Sequence, residues 1–233
     1  MFPNDELTLE AERGRNPLYK HVAKTYLWMF FGLAITFAVG MTLYASNLVF
    51  FFYAVPMLSL VLLVAQLGLV IFLSARLTKI SVNACRAVFV IYSALTGITI
   101  GAVLAAYEAG VAMLAFGVSA FFFGCMAAAG LLTRRDVSGF RSLVIFGLLA
   151  LIVMQVINLF LRLDGFDTMI CLAGVAIFLG ITTYDSKKTK DLYYAFEGNQ
   201  ELLDKASIYS ALELYLDFIN LFLYLIRLLG RKK

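Results

Sequence analysis

The 233-residue chain contains one histidine, one tryptophan, three prolines and three cysteines. These scarcities exclude several chemistries. The only histidine, His21, lies in a polar N-terminal stretch, which argues against Ser–His catalysis. No HExxH, CxxC or Walker sequence is present, so zinc-hydrolase, thiol-redox and phosphate-loop mechanisms lack their residues. Cys85, Cys125 and Cys171 are too few and too isolated for a disulfide framework, and read as small buried hydrophobes. Charge is also scarce. Asp, Glu, Lys and Arg make up 15% of the chain, against about 25% in soluble domains. The formal net charge of +4 reads as loop charge that orients a membrane chain. The first 24 residues lack the early, short apolar core of a cleavable signal peptide. The first apolar run, which follows them, is therefore expected to stay as a helix.

What the chain has in abundance is apolar sequence. The hydrophobic fraction is 62% and the mean hydropathy is +0.90. A soluble domain is about 45–50% apolar, so a soluble enzyme and a disordered chain are both disfavoured. A spanning helix needs about 20 apolar residues, and seven of them need about 140. Seven apolar runs are present, roughly 25–45, 48–75, 87–107, 111–133, 139–161, 167–185 and 206–229. The expected fold is an all-α membrane protein, a seven-transmembrane-helix bundle. The domain reading is a polar tail at 1–24, one seven-helix domain at 25–230 and a basic end at 231–233. Ser186 to Lys205 is the one long polar connection, and its Tyr193, Tyr194 and Phe196 suit the membrane interface. Placing the N-terminus inside gathers Arg13, Arg15, Lys20, Lys24, Arg76, Lys79, Arg86, Arg134, Arg135, Arg141, Lys187, Lys188, Lys190 and Lys205 on that side. Arg162, Arg227, Arg231, Lys232 and Lys233 fall outside, although a basic tail would itself favour the inside. The charge bias expects a cytoplasmic N-terminus.

Small residues mark candidate seams between helices. Gly97, Gly101 and Ala105 recur at four-residue spacing, and Gly117, Ala120, Gly124 and Ala127 to Gly130 follow. Small residues on one face let helices approach closely. Pro56 is expected to kink the second run. Gln155 and Asn158 either hydrogen-bond between helices or line a polar path.

An ionisable group in a spanning helix costs about 2.5–3.5 kcal/mol on insertion scales and by default suggests function. In the last run, Glu213, Asp217 and Asn220 stand at i, i+4 and i+7. At about 100° per residue they share one narrow stripe. Asp185 closes the sixth run as a boundary carboxylate or, if the helix continues, reaches that stripe while Lys187, Lys188 and Lys190 snorkel outward. Two carboxylates in contact in a poorly solvated place cannot both ionise cheaply, and titrate as a unit. With one proton they share a hydrogen bond that joins two helices. With none, they repel and present oxygens suited to Ca²⁺. Arg76, at the end of the second run, is either a boundary anchor or a counter-charge to the aspartates.

Tyr184-Asp185, followed by Ala211-Leu-Glu-Leu-Tyr-Leu-Asp-Phe-Ile-Asn-Leu-Phe-Leu-Tyr-Leu-Ile-Arg227, strongly resembles the Bax inhibitor-1 (transmembrane BAX inhibitor motif) family in its bacterial form. Thr96-Gly-Ile-Thr-Ile-Gly101 is similar to the family's third-helix motif. With the seven-run layout, the resemblance covers almost the whole chain. It implies a seven-helix fold and a pH-dependent Ca²⁺ leak. It also implies a di-aspartyl sensor that falls on Asp185 and Asp217, with a second-helix arginine falling on Arg76. Gln66 stands near where the family carries a glutamate. The resemblance further implies a link to control of membrane-protein degradation by a membrane-bound protease.

The leading expectation is therefore a pH-sensitive calcium (cation) leak gated by Asp185 and Asp217, with Glu213, Asn220 and Arg76 along the ion path. The two aspartates would hold Ca²⁺ only in passing, as permeant ion, and no tightly bound cofactor is expected. The alternative is a membrane regulator that binds a membrane-bound protease complex, in which cytoplasmic-side residues matter more than the aspartates. An enzyme is not expected. An intramembrane aspartyl protease is disfavoured because Glu213-Leu214-Tyr215-Leu216 precedes Asp217 without glycines to admit a substrate backbone. The short chain and the family look point to a bacterial inner membrane, and the expected partners are lipid and the protease complex, with no nucleic acid.

Overall fold

The computed structural model describes residues 3–133, 139–161 and 165–230, and its regular elements are all helical. They are α1 (Pro3–Ala45), α2 (Val49–Ala54), α3 (Pro56–Arg76), α4 (Val82–Ala106), α5 (Ala109–Leu132), α6 (Phe140–Leu161), α7 (Phe166–Ala195) and α8 (Gln200–Leu229). Arg134, Arg135, Arg162 and the basic end 231–233, used above for orientation, lie outside the described residues.

The seven expected runs become eight helices because Pro56 breaks the second run rather than kinking it. Val55 is extended (φ −116°, ψ 90°), as the residue before proline prefers, and Pro56 opens α3 where its missing N–H costs nothing. The polar stretch 186–205 is not a loop. α7 runs on to Ala195, a four-residue turn carries Gly198 at φ +90°, and α8 starts at Gln200. Asn199 caps α8 by accepting from the Leu202 N–H at 3.1 Å. The N-terminal stretch read as a tail is helical from Pro3 and continuous with the first span.

Six of these helices are long and apolar enough to cross a membrane, from the Pro17–Ala45 part of α1 through α3, α4, α5, α6 and α7. α8 is not among the six, and carries Glu201, Asp204, Lys205, Glu213, Asp217 and Asn220 along it. Its position explains why it tolerates them. α8 is wrapped by α7, α1, α5 and α4, and most of it between Lys205 and Ile226 is buried. A helix screened from lipid by its neighbours does not need an apolar surface. By contrast, α3 and α6 lie at the rim, and only 6% of the most apolar window of each is buried. Their exposed faces carry Leu60, Val64, Leu67, Ile71, Ile152, Val156 and Leu159. Apolar exposure on that scale, on helices long enough to cross a membrane, suits contact with lipid.

Glycine fixes two of the contacts. A Cβ on Gly40 would stand 3.0 Å from the Gly97 oxygen and the Gly101 nitrogen, so α1 and α4 touch backbone to backbone. On α5 the seam differs from the sequence reading. Gly117 and Gly124 face open space, while Gly130 lies against Thr183 and Ser186 of α7. Gly117→Ala is therefore expected to leave stability unchanged or raise it by about 0.5–1 kcal/mol, the cost of glycine within a helix. Thermal unfolding in detergent would check this.

At one end of the bundle, α1 is clamped to the α7–α8 hairpin. Lys24 Nζ donates to Asp204 at 2.7 Å, the Ser207 hydroxyl meets His21 Nδ1 at 3.2 Å, and Tyr26 meets Ser186 at 3.0 Å. Tyr193 is buried beside His21 rather than lying at the interface, whereas Tyr194 is exposed. Burial opposes ionisation of Asp204, but hydrogen bonds from Lys24 and Gln200 outweigh it and hold its carboxyl below the ordinary range. Its stabilising contribution is therefore complete above about pH 4 and lost as the pH falls through the depressed value. The stability gap between wild type and Asp204→Asn should narrow on acidification below pH 4. A gap that stays constant to pH 3 would contradict the clamp.

Candidate functional site

α7 does not stop at Asp185. Ten further helical residues follow it, so Asp185 faces the bundle instead of a boundary and is only 9% exposed. α8 packs along it. The stripe expected on α8 is the lining of a cavity of about 520 Å³. Tyr209, Glu213, Leu216, Asp217 and Asn220 line it from α8, and Phe178, Ile181, Tyr184, Asp185 and Lys188 from α7. The rim helices complete the wall, with Val70 and Ser74 of α3 and Val144, Ile145 and Leu148 of α6.

Asp217 is 3% exposed, and among the described residues its buried Oδ2 has no hydrogen-bond partner. The same is true of Glu213 Oε2. Glu213 Oε1 accepts from Lys188 Nζ at 2.5 Å. Asp185 and Asp217 lie within electrostatic reach of each other and of Glu213. Asn220 spends one amide hydrogen on the Leu216 carbonyl of its own helix, at 2.8 Å. Buried carboxylate oxygens with no protein donor are expensive and uncommon enough to need a reason. Among the described residues, no three His, Cys, Asp or Glu side chains are grouped as a metal cage. The chemistry available is proton exchange on a carboxylate pair and weak oxygen ligation of a cation.

Four of the five site residues singled out from sequence, Asp185, Asp217, Glu213 and Asn220, line this one cavity. Arg76 does not. It is exposed at the end of α3, two residues past the lining Ser74 and so about 200° round the helix. The cation at the cavity is Lys188, which turns inward instead of snorkelling. Lys187 pairs with Asp191 at 3.2 Å, and Lys190 donates to the Leu131 carbonyl at 2.7 Å. The signal for Lys188 is its spacing, three residues after Asp185 and so on the same face. Tyr209, four before Glu213, extends the α8 stripe by the same rule.

A second polar cluster sits on another face of α8. The Tyr215 hydroxyl meets Thr36 at 2.6 Å, and Thr36 donates to the Ser93 carbonyl at 2.8 Å. Gln66 reaches Thr96 at 3.4 Å and lines a separate groove, not the carboxylate cavity. Gln155 donates to the Tyr224 hydroxyl at 2.8 Å, an interhelical bond. Asp167 and Arg227 pair α7 with the far end of α8.

The fold and site define a polytopic helical membrane protein with a carboxylate-bearing cavity lined by four of its helices. Residues 18–233 match the family described as "Inhibitor of apoptosis-promoting Bax1". The chain is 34% identical to the inner membrane protein YbhL of Escherichia coli strain K12, over 100% of this chain and 99% of YbhL. It is 37% identical to a protein of Deinococcus radiodurans over 96% and 95% of the two chains, and 35% identical to one of Borreliella burgdorferi over 92% and 93%. The chain belongs to the Bax inhibitor-1 family.

Proposed function

We propose that this protein is a pH-sensitive cation leak of the bacterial inner membrane, with Ca²⁺ as the permeant ion. α8 serves as the seventh span, held within the ring of the other helices, and the N-terminus is cytoplasmic. The observation that carries the reading is the convergence of Asp185, Glu213 and Asp217 from two helices on one cavity, with carboxylate oxygens buried and unpaired within it. A proton shared by Asp185 and Asp217 joins α7 to α8. Its loss sets like charges against each other, which favours separation of the helices and frees oxygens for a hard cation. The inner-membrane location draws on the likeness to YbhL.

Ca²⁺ uptake into proteoliposomes across about pH 5–8 tests this, a range over which a coupled carboxylate pair can change its proton count. Flux that changes with pH and is absent from empty vesicles is the expected result. No flux at any pH would move the weight to the regulatory reading. That reading draws support from α1, whose 43 residues span about 65 Å, well beyond a hydrocarbon core of about 30 Å. Pull-down of a protease complex from solubilised membranes, lost on deletion of residues 1–24, would identify that role.

A further inference from the structure

The carboxylate cavity contains its own cation. Lys188 Nζ lies 2.5 Å from Glu213 Oε1 and 5.1 Å from the centre of the Tyr209 ring. No other Lys or Arg lines the cavity among the described residues. Three carboxyl groups thus face a single ammonium. We propose that Lys188 is a tethered counter-cation that competes with the diffusible cation for Glu213, and thereby limits how tightly the cavity binds it. The proposal rests on the cation reading above and assigns the residue that regulates that site.

A hard divalent cation takes six or more oxygens, and its affinity rises with the number of charged ligands. Asp185 of α7 and Asp217 of α8 supply carboxylates from two packed helices, and Glu213 stands one turn from Asp217 on the same helix, not yet grouped with them as a ligand set in this arrangement. While the ammonium sits on Oε1, the charge of Glu213 is already neutralised, although its other oxygen is buried within reach of the cavity. Lysine is suited to such a role because its ammonium is a point charge on a flexible stem, without the fixed fork of arginine. Tyr209 holds the ammonium in place through its ring face. A cation that enters must displace Lys188 to recruit Glu213.

The test is equilibrium binding of Ca²⁺ to the full chain in lipid nanodiscs at one pH, by calorimetry. Lys188→Met is expected to bind at least about tenfold more tightly than wild type, because a like charge leaves and a ligand is freed. Lys188→Met/Glu213→Gln should return to within about threefold of wild type, the coupling that marks a direct pair. In wild type itself, added Ca²⁺ should raise acylation of Lys188 by an amine-reactive probe, quantified on the peptide. If wild type binds Ca²⁺ and Lys188→Met binds no more tightly, or if Lys188 labelling is unchanged by Ca²⁺, the proposal is overturned and the cation reading stands. Absence of Ca²⁺ binding in every variant would overturn both.

Discussion

Asp217→Asn is expected to lower Ca²⁺ flux at least tenfold and to flatten its response to pH. The side chain is 3% exposed, midway along the helix at the centre of the bundle, with one oxygen unpaired. Asparagine keeps the shape but can neither ionise nor carry charge to a passing cation. A unit charge pair at 4 Å is worth about 4 kcal/mol at an effective dielectric of 20, and about 1.4 kcal/mol already corresponds to tenfold. Asp185→Asn should act in the same direction, because it removes the other half of the pair. Arg76→Ala provides the contrast. Arg76 is exposed and lines no part of the cavity, so its flux should stay within about twofold of wild type, the scale of a surface change. A large loss in Arg76→Ala with little in Asp217→Asn would invert the account.

Gly130→Leu should be the most damaging small-to-large change on α5. A Cβ at Gly130 would run into the Thr183 carbonyl oxygen and stand 2.8 Å from Ser186 Cβ. Backbone cannot rotate away as a side chain can. Overpacking of this kind costs about 1–3 kcal/mol, which for a chain of this length corresponds to a fall of about 5 °C in Tm. The contact flanks Asp185, so α7 would shift where it carries the carboxylate, and the pH response should change with the stability. Gly124→Leu, on the same helix but facing open space, should change neither. Equal effects at the two positions would show that glycine content, rather than the α5–α7 contact, is what matters.

Much of this was legible from residue spacing. The Glu213, Asp217 and Asn220 stripe could be read because a charged, strictly helical pattern inside an apolar run has few alternatives. The Gly97 and Gly101 seam could be read for the same reason, although its partner Gly40 could not, since spacing marks a face but not what packs against it. Three features needed the fold. The centrality of α8 was hidden, because a helix wrapped by four others and one facing lipid are told apart by their neighbours. The continuation of α7 past Asp185 was obscured by a run of lysines that reads as a membrane boundary, yet Lys188 and Lys190 are satisfied by Glu213 and the Leu131 carbonyl. Arg76 could be read from sequence as either a boundary anchor or, through the family resemblance, a counter-charge; it is exposed and does not line the cavity, and only its rotation about α3 relative to Ser74 separates the two readings. Gly117 and Gly124 show the reverse error, in which small residues line a face that no described residue covers.

In the proposed mechanism Asp185 and Asp217 act as one proton-binding unit within the cavity. Infrared titration of the protonated carboxyl band in lipid-reconstituted protein tests it directly. A coupled pair gives a pH-dependent band in wild type that is altered or abolished by Asp185→Asn and by Asp217→Asn alike, with the double variant resembling either single one. Two independent bands, each removed by one substitution and untouched by the other, would contradict it.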